Sequence, residues 1–364
     1  MKMNALVEKM LLQNNSNSFL AKQFLDENVV NPRYAVGRNN QTLELSRVVK
    51  LTGVIDDFNT NDGQWNEIPL VRTIDVCHDA LVVNCSTSIS PVSVLRHLQS
   101  SGIQNVIGFH QVVEVSEGKL EWPDFVKSMR NEVRENFEIW QRMYDSFEDD
   151  ISRQTLLDVV CFRLTANPLF MRKYQVRLSE QYFEDFMRYG KEVFVDAGGF
   201  DGDTSDEFAI RYADYQKIYF FEPSAKNLKL ARQRLAKYKR IEFLEVGLSD
   251  IAGTLCFNQE AGSASCVTTV SDSSINVDTL DAVVTEAVSF IKMDLEGWEL
   301  KALEGAKEHI RRDHPKLAIA VYHDSADFRR TFEFIERFNL KYKIFLRHYT
   351  QGWSETVMFF LPAA

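Results

Sequence analysis

The chain has 364 residues, of which 45% are hydrophobic, and its 52 acidic and 42 basic side chains give a formal net charge of -10 at pH 7. Because this length exceeds that of an ordinary single domain, we expect two domains. The negative charge disfavours nucleic acid as a partner, since binding to a phosphate backbone depends on clustered Lys and Arg.

The cysteines and the N-terminal segment indicate a cytoplasmic protein. The five cysteines are scattered and form no C-x-x-C motif, and because their number is odd they cannot all form disulfides. Such cysteine usage is typical of proteins in a reducing compartment. Residues 1–29 have the pattern of a helix and lack the cleavage site of a signal peptide. No segment approaches the roughly 18 uncharged apolar residues of a membrane helix, so we expect no membrane partner.

The first third of the chain has the pattern of a small α/β domain. Four short β-branched segments predict strands at residues 33–37, 48–56, 79–85 and 105–110. Residues 90–102 have helical spacing, with Pro91 suited to a first turn and Gly102 to a C-terminal cap. Alternating strands and helices predict a parallel sheet. We interpret residues 1–120 as an N-terminal helix followed by a smaller Rossmann-like α/β domain.

Two carboxylates raise the question of whether this domain binds a ligand. Asp56 and Asp57 follow a predicted strand, where nucleotide-binding sheets carry a ribose-binding acid, but the turn before that strand holds a single glycine. The domain either binds a ligand such as a nucleotide sugar or serves only for packing. We favour packing.

A helical connector and a larger α/β domain are predicted next. Residues 121–190 are charged and carry apolar side chains every three or four positions, which predicts the connector. The alternation of strands and helices then resumes over residues 191–364. Seven strands are predicted, at residues 193–197, 218–222, 241–246, 288–293, 317–321, 343–346 and 357–361.

The first of these strands runs into a loop that is rich in both glycine and aspartate, VFVDAGGFDGDTS. Its glycines form G-G-x-x-G, which differs from the G-x-G-x-x-G of dinucleotide-binding sheets. Asp196, Asp201 and Asp203 would repel a pyrophosphate, at a cost on the order of 1 to 4 kcal/mol per close pair. They would attract the sulfonium and ammonium groups of S-adenosylmethionine, so this cofactor is favoured.

The segment after the loop extends the predicted site. Thr204 and Glu207 have the spacing of a capping box, and free N–H groups at such a helix start bind carboxylates. Glu222 ends the second strand twenty residues after Gly202, where an acid accepts hydrogen bonds from ribose hydroxyls. Either cofactor would use this acid. The alternative for Glu222 is a surface carboxylate before Pro223.

Six segments, in this order, resemble the FkbM-type S-adenosylmethionine-dependent methyltransferases: VFVDAGGFDGDTSDEF, YFFEPSAKNLKLARQRL, VGLSDIAGTLCF, VDTLDA, SFIKMDLEGWELKALEGA and AVYHDSADF. Upstream, SRQTLLDVVCFRLTANP and EQYF are similar to a segment that precedes the catalytic domain in some members. The resemblance implies a class I methyltransferase fold, with a Rossmann-like seven-stranded sheet whose last strand is antiparallel.

The resemblance also implies the cofactor, S-adenosyl-L-methionine, and its binding residues. By this resemblance, the glycine loop would contact the methionine part of the cofactor and Glu222 would bind the ribose. The GLSD segment matches the family position beside the adenine. The predicted set is Asp196, Gly198, Gly199, Phe200, Asp201, Gly202, Thr204, Glu222, Pro223, Ser249 and Asp250. Family members often have a small residue and Asn where this chain has Gly199 and Phe200.

Four residues are predicted to act on the methyl acceptor. Lys292, Asp294 and Glu296 lie at the carboxyl end of the fourth strand, and His323 follows the fifth. Transfer to an alcohol requires alignment of the acceptor and removal of its proton by a carboxylate, an imidazole or a bound divalent metal. We do not favour a metal and assign no ligands to one.

Structural alternatives stay open for three of these four residues. His323 could be hydrogen-bonded at a strand end, Glu296 could cap a helix that begins at Gly297, and Lys292 could pair with Asp294.

We interpret the chain as a methyltransferase that methylates a hydroxyl on a sugar, glycan or other small molecule, an acceptor class that the resemblance implies. The alternatives are a non-catalytic nucleotide- or nucleotide-sugar-binding scaffold and an NAD-dependent oxidoreductase. The connector and loops such as residues 262–274 would build the acceptor pocket. The sequence is compatible with a homo-oligomer but does not define one.

Overall fold

A computed structural model describes residues 2–13, 18–58, 63–256 and 274–363. The chain forms two compact units. Unit 1 comprises Met1–Gln141, Gln154–Val176 and Tyr349–Ser354, and unit 2 comprises Arg142–Arg153, Arg177–His348 and Glu355–Ala364. The predicted connector, residues 121–190, is thus divided between the units. Helical periodicity shows which face of a helix is buried but not which sheet covers that face. The sequence therefore could not predict that the connector is divided between the two units.

The elements are as follows. The helices are α1 Met3–Gln13, α2 Phe19–Leu25, α3 Asn40–Val48, α4 Pro91–Ser100, α5 Phe109–Val115, α6 Asp124–Ser146, α7 Asp150–Thr165, α8 Asp203–Arg211, α9 Ala225–Arg234, α10 Leu280–Val283, α11 Glu299–Glu304, α12 Lys307–Asp313 and α13 Asp327–Glu336. The strands are β1 Arg33–Val36, β2 Gly53–Ile55, β3 Gln64–Trp65, β4 Ile68–Val71, β5 Leu81–Asn84, β6 Val106–Gly108, β7 Val193–Ala197, β8 Lys217–Phe221, β9 Ile241–Leu244, β10 Gly247–Leu248, β11 Gly253–Cys256, β12 Ser274–Asp278, β13 Phe290–Met293, β14 Lys316–Ala320, β15 Tyr342–His348 and β16 Thr356–Pro362. Within the described ranges, no helix combines the length and apolarity needed to span a membrane.

Unit 1 contains a six-stranded sheet in the order β3-β4-β2-β1-β5-β6. All neighbouring pairs are parallel except β3 with β4, so the predicted parallel sheet is confirmed. The predicted strand at 48–56 is shortened to β2, because α3 continues to Val48. The strands β3 and β4, at one end of the sheet, were not predicted, since they are short and β4 contains Pro69.

Side chains that alternate along β1 and β5 fill a core on each face of this sheet. Ala35, Leu81 and Val83 pack with residues of α2, α3 and α5, whereas Tyr34 and Val82 pack with Leu98 of α4. Successive strand residues point to opposite faces, and helices cover both faces. The central strands β1 and β5 are therefore covered on both sides, as parallel strands usually are.

The main sheet of unit 2 has seven strands in the order β15-β16-β14-β13-β7-β8-β9. The pairs among β14, β13, β7, β8 and β9 are parallel, and β16 is antiparallel to both β14 and β15. All seven predicted strands are present, and the last strand of the chain is the antiparallel one. A separate three-stranded sheet, β10-β12-β11, also belongs to this unit.

His110 of unit 1 should make folding stability depend on pH. It is 5% exposed, its Nδ1 has no hydrogen-bond partner among the described residues, and burial lowers its pKa from 6.5 to about 4. A depressed imidazole pKa means that the unfolded chain binds the proton more readily. Stability is therefore fully present above pH 6.5 and is lost as the pH falls towards 4. The loss between pH 7.5 and pH 5 should be about 2 kcal/mol.

Denaturant unfolding at pH 7.5 and pH 5 measures this loss, and the substitution His110→Gln should remove it. Changing the exposed His78 to Gln is the matched control and should leave the pH dependence in place. An equal pH dependence in both variants would show that His110 is not its source.

Candidate active site

The glycine loop after β7 lies directly against the two neighbouring strands. Gly198 has a φ of +73°, and a Cβ at this position would overlap the backbone carbonyl oxygen of Asp294, just after β13. A Cβ at Gly199 would overlap the ring of Phe220 in β8. Glycine is required at both positions for this close approach. The predicted cofactor loop and the predicted catalytic strand end are therefore in contact.

Asp196 and Lys292 form a buried ion pair next to this loop. Oδ1 of Asp196 lies 3.2 Å from Nζ of Lys292, and Ser205 donates a hydrogen bond to Oδ2 at 2.6 Å. Lys292 also donates to the carbonyl oxygens of Gly198 at 2.8 Å and Ala197 at 3.3 Å. Burial alone would lower the pKa of Lys292, but the nearby carboxylates outweigh it and the pKa is raised.

This pair is buried, which bears on two predicted site residues. The Asp196 side chain is 0% exposed and that of Lys292 is 3% exposed. Each is enclosed by the other and by the loop, so the structure gives both side chains a positioning role in the loop. A catalytic role for Lys292 and a cofactor contact by Asp196 stay predictions. Lys292 pairs with Asp196 and not with Asp294.

The other two loop aspartates do not supply the free negative charge that the sequence suggested. Arg234 donates a hydrogen bond to Oδ2 of Asp201 at 2.6 Å, whereas Asp203 is exposed and accepts one from the Thr204 N–H. Two of the three carboxylates, at Asp196 and Asp201, are thus balanced by adjacent cations. The charge of the loop is therefore a weaker reason to prefer a sulfonium ligand over a pyrophosphate than the sequence indicated.

The helix start after the loop also differs from its prediction. Gly202, with a φ of +88°, is the N-cap of α8, so the helix begins two residues before the start that the capping box predicts. Thr204 lies in the first turn, and Glu207 pairs with Arg211 at 2.6 Å. A glycine N-cap offers no side chain for the first N–H groups. The predicted capping box is therefore wrong.

Glu222 follows β8 and is hydrogen-bonded to the glycine loop. It is 5% exposed; Oε2 accepts a hydrogen bond from the Phe200 N–H at 3.0 Å, and Oε1 accepts one from the Ser224 N–H at 2.8 Å. Burial raises the pKa of Glu222, and these bonds partly oppose the rise. Each carboxylate oxygen keeps further acceptor capacity. A ribose contact by Glu222, next to Pro223, stays a prediction.

Ser249 and Asp250 lie beside an indole that the sequence analysis did not connect with them. Ser249 is 2% exposed and accepts a hydrogen bond from Nε1 of Trp298 at 3.2 Å. Lys301 donates to Oδ2 of Asp250 at 2.7 Å, and this hydrogen bond lowers the pKa of Asp250. An adenine contact at these residues stays a prediction.

Asp294, Glu296 and His323 converge as predicted. Nε2 of His323 lies 3.5 Å from Oδ1 of Asp294 and 3.3 Å from Oε2 of Glu296. The His323 side chain is 10% exposed, whereas those of Asp294 and Glu296 are 21% and 27% exposed. The convergence follows from the parallel pairing of β13 with β14, which ends both strands at the same edge of the sheet.

Glu299 is a fourth member of the cluster, and sequence reasoning missed it. Its Oε1 accepts hydrogen bonds from the N–H groups of Leu295 at 2.6 Å and Gly297 at 3.4 Å, and lies 3.2 Å from Nδ1 of His323. Helix α11 begins at Glu299, two residues after the predicted start at Gly297. Glu299, and not Glu296, therefore binds the free N–H groups at this turn.

Four polar side chains complete the surroundings of Asp294. The hydroxyl of Tyr182 donates to Oδ2 of Asp294 at 2.7 Å, and that of Tyr322 donates to Oδ1 at 3.3 Å. Gln181 donates to the Tyr182 hydroxyl and to Glu355. Tyr182 lies in the EQYF segment, which could have signalled it. Glu355 follows a loop near the C-terminus and has no sequence signal.

The pKa shifts in this cluster show an excess of negative charge. Burial, followed by the charge of Glu299, raises the pKa of Asp327 to about 7. Burial and Asp294 raise the pKa of Glu355 to about 7 as well. Burial alone would lower the pKa of His323, but the surrounding carboxylates raise it well above its usual range. The raised pKa favours the protonated form of His323. Its predicted catalytic role stays a prediction.

Unit 1 has a cavity at the switch point of its own sheet. The cavity is about 430 Å³ and lies at the carboxyl ends of β1 and β5, lined partly by Gly37, Asn39, Ser86, Thr87 and Trp353. The aspartates considered for ligand binding do not line it. Asp56 pairs with Arg38 at 3.2 Å, and Asp57 accepts hydrogen bonds from Thr73.

The architecture of unit 2 places it in a class of proteins. A seven-stranded α/β sheet ends in an antiparallel strand, the glycine loop follows its central strand β7, and acids follow β8 and β13. These features together define unit 2 as a methyltransferase-type α/β domain.

Comparison with known proteins agrees with this class. Residues 196–344 match the family model of the methyltransferase FkbM domain. The predicted resemblance to this family is confirmed over that segment. No curated protein sequence is significantly similar to the chain.

Among solved structures, the chain is similar to the methyltransferase FkbM from Methylobacillus flagellatus KT, with a TM-score of 0.73 and 23% identity over 98% of this chain and 99% of that one. This likeness shows that the fold is shared. An rRNA methylase from Streptococcus thermophilus is 18% identical, with a TM-score of 0.33 over 48% of this chain and 88% of that one. Fibrillarin from Aeropyrum pernix, solved with S-adenosyl-L-methionine bound, is 11% identical, with a TM-score of 0.33 over 50% and 71%. These two likenesses are too distant to bear on this chain.

Proposed function

We propose that the chain is an S-adenosylmethionine-dependent O-methyltransferase whose acceptor is a hydroxyl of a sugar, glycan or other small molecule. The observation that carries the proposal is the position of Asp294 and Glu296. Both are partly exposed carboxylates in a strand-end segment whose backbone touches the glycine loop at Gly198. A methyl donor held by that loop would lie next to two proton acceptors.

The cofactor would lie along the carboxyl ends of β13, β7 and β8. The glycine loop would hold the methionine part, and the first turn of α8, with its glycine N-cap, would offer N–H groups to the carboxylate of S-adenosylmethionine. The remaining acceptor positions of Glu222 suit the ribose hydroxyls. Ser249, Asp250 and Trp298 would surround the adenine.

The chemistry is an in-line displacement at the methyl carbon. The carbon–sulfur bond of the sulfonium breaks as the carbon–oxygen bond to the acceptor forms, and sulfur leaves as a neutral thioether. The hydroxyl proton passes to a carboxylate. Glu296 suits this step because it is more exposed than Asp294, whose oxygens already accept hydrogen bonds from Tyr182 and Tyr322.

The charge of the site supports a neutral, hydroxyl-bearing acceptor. Carboxylates accept hydrogen bonds from hydroxyl groups, and the cluster around Asp294 contains several of them. An anionic acceptor such as nucleic acid would be repelled by this cluster and by the overall charge of -10. We place the reaction in the cytoplasm, as the cysteine content suggests.

Calorimetric titration tests the cofactor, and we expect S-adenosylhomocysteine to bind and NADH not to bind. Methyl transfer is then followed from tritiated S-adenosylmethionine to a panel of mono- and oligosaccharides. The substitution Glu296→Gln should lower turnover by about 10²- to 10⁴-fold and leave S-adenosylhomocysteine affinity unchanged, because the residue acts on the acceptor proton.

Glu304→Gln is the matched control, since Glu304 lies further along the same segment and pairs with Arg337 at the surface. Turnover should persist in this variant. Binding of NADH alone would favour an oxidoreductase, and binding of neither ligand would favour a scaffold. Unchanged turnover in Glu296→Gln would remove Glu296 from the mechanism.

A ligand site in unit 1 is a second candidate, and the cavity at the ends of β1 and β5 favours it. A nucleotide sugar is the ligand class that the fold of unit 1 suggests. Titration with UDP-glucose tests this candidate. A saturable heat that is unchanged by prior addition of S-adenosylhomocysteine would support a separate site.

A further inference from the structure

We propose that Asp294, Glu299 and His323 bind a divalent metal ion of the Mn²⁺ type. One donor atom from each of the three residues lies within 4.8 Å of the donors of the other two. The sequence analysis did not favour a metal and did not consider Glu299. The structure places Glu299 beside Asp294 and His323.

Two of the three side chains carry buried polar atoms that lack hydrogen-bond partners among the described residues. These atoms are Oε2 of Glu299 and both ring nitrogens of His323, and the two nitrogens lie 3.2 to 3.5 Å from the carboxylates of Asp294, Glu296 and Glu299 without hydrogen-bond geometry. The Glu299 and His323 side chains are 3% and 10% exposed, so water does not readily satisfy them. Buried polar groups are nearly always paired, and an unpaired one indicates a missing partner. A bound cation would satisfy atoms of both residues at once.

Two backbone N–H groups orient the carboxylate of Glu299. The N–H groups of Leu295 and Gly297 donate to its Oε1, which leaves Oε2 available. Asp294 is oriented in the same way by the hydroxyls of Tyr182 and Tyr322. Outer contacts of this kind orient the ligands in known metal sites.

The alternative occupant is a proton on His323, which would make the cluster a simple ion-pair network. One imidazolium charge faces the carboxylates of Asp294, Glu296 and Glu299, at 3.2 to 3.5 Å. A proton therefore leaves the cluster with a net negative charge in a mostly buried place, and a divalent ion leaves it closer to neutral. Two carboxylates and one imidazole suit Mn²⁺ or a similar metal better than Ca²⁺, which prefers oxygen ligands alone.

The role of this metal in catalysis rests on the proposed function, whereas metal binding itself does not. A metal at Asp294 would hold the acceptor oxygen and lower the pKa of its hydroxyl, and Glu296 would then take the proton. The hydroxyl would be bound to the metal before the methyl group moves.

The test is a titration of the purified, chelator-treated full chain with MnCl₂, followed by electron paramagnetic resonance. We expect one saturable ion per chain and a nitrogen coupling from the His323 imidazole in the echo-modulation spectrum. Glu299→Gln should weaken Mn²⁺ binding by at least about tenfold. Gln keeps the acceptor for Leu295 and Gly297, so this variant should fold. His323→Gln should remove the nitrogen coupling, which a purely structural role would not do.

Asp327→Asn is the matched control, because Asp327 is a neighbouring carboxyl outside the ligand set. Its affinity for Mn²⁺ should stay near that of the unchanged chain. An equal loss in Asp327→Asn and Glu299→Gln would show that bulk negative charge attracts the ion, and would overturn the proposal. Absence of saturable binding, or absence of the nitrogen coupling, would also overturn it.

Failure of this inference can be told apart from failure of the proposed function. Binding of S-adenosylhomocysteine and metal-independent methyl transfer, without Mn²⁺ binding, would leave the function standing and remove the metal. Mn²⁺ binding with the nitrogen coupling, but without S-adenosylhomocysteine binding, would leave the metal site and remove the function.

Discussion

Replacing Lys292 with Met should destabilise unit 2 by about 3 to 5 kcal/mol and weaken S-adenosylhomocysteine binding. The substitution leaves the carboxylate of Asp196, which is 0% exposed, without its cation, and a lone buried charge is costly. It also removes the hydrogen bonds from Nζ to the carbonyls of Ala197 and Gly198, which hold the cofactor loop. Denaturant unfolding and calorimetry measure the two effects.

The double variant Asp196→Asn with Lys292→Met separates charge from packing. It removes both charges, so much of the lost stability should return, because a buried ion pair is often replaced by neutral groups at little cost. A loss in the double variant as large as the sum of both single losses would show that the two residues do not interact. In that case the buried ion pair would not be what positions the loop.

Replacing Gly198 with Ala should abolish S-adenosylhomocysteine binding and destabilise unit 2 by at least about 3 kcal/mol. Two costs add here. A φ of +73° is unfavourable for any residue with a Cβ, by roughly 1 to 2 kcal/mol. The new methyl group would also overlap the carbonyl oxygen of Asp294, which is a backbone atom and cannot move without displacing the segment that follows β13.

Gly118→Ala is the matched control for the first of these costs. Gly118 has a φ of +83°, but nothing lies within 4 Å of the position its Cβ would take. The substitution should therefore cost only about 1 kcal/mol and leave S-adenosylhomocysteine affinity unchanged. Equal losses in Gly118→Ala and Gly198→Ala would mean that contact with Asp294 contributes nothing.

Local patterns predicted the elements of both sheets well. The seven strands of the main sheet of unit 2 and the parallel sheet of unit 1 follow from β-branched segments separated by turns. The errors lie where a second feature of the chain opposes the local pattern, or where the element is too short to have one. Thr204 and Glu207 have capping-box spacing, yet Gly202 begins the helix, because its positive φ turns the chain there first. Short edge strands such as β3 carry too few residues for any periodicity.

Motifs also predicted which residues meet at the active site, because parallel strands bring their carboxyl ends to one edge. Asp294, Glu296 and His323 therefore converge as expected. Motifs did not predict partners from other parts of the chain. Arg234 balances Asp201, and Glu355 joins the surroundings of Asp294 from a loop more than fifty residues later.

The amino-acid pattern is enough to establish the class of fold, the glycine loop and the acids at the strand ends, since these depend on neighbouring residues and on strand order. The state of each acid depends on burial and on distant charges, which are properties of the folded chain. Lys292 and Asp196 are buried against each other, a pairing that the sequence did not indicate. Glu299 joins the cluster because the turn at Gly297 directs its carboxylate to His323.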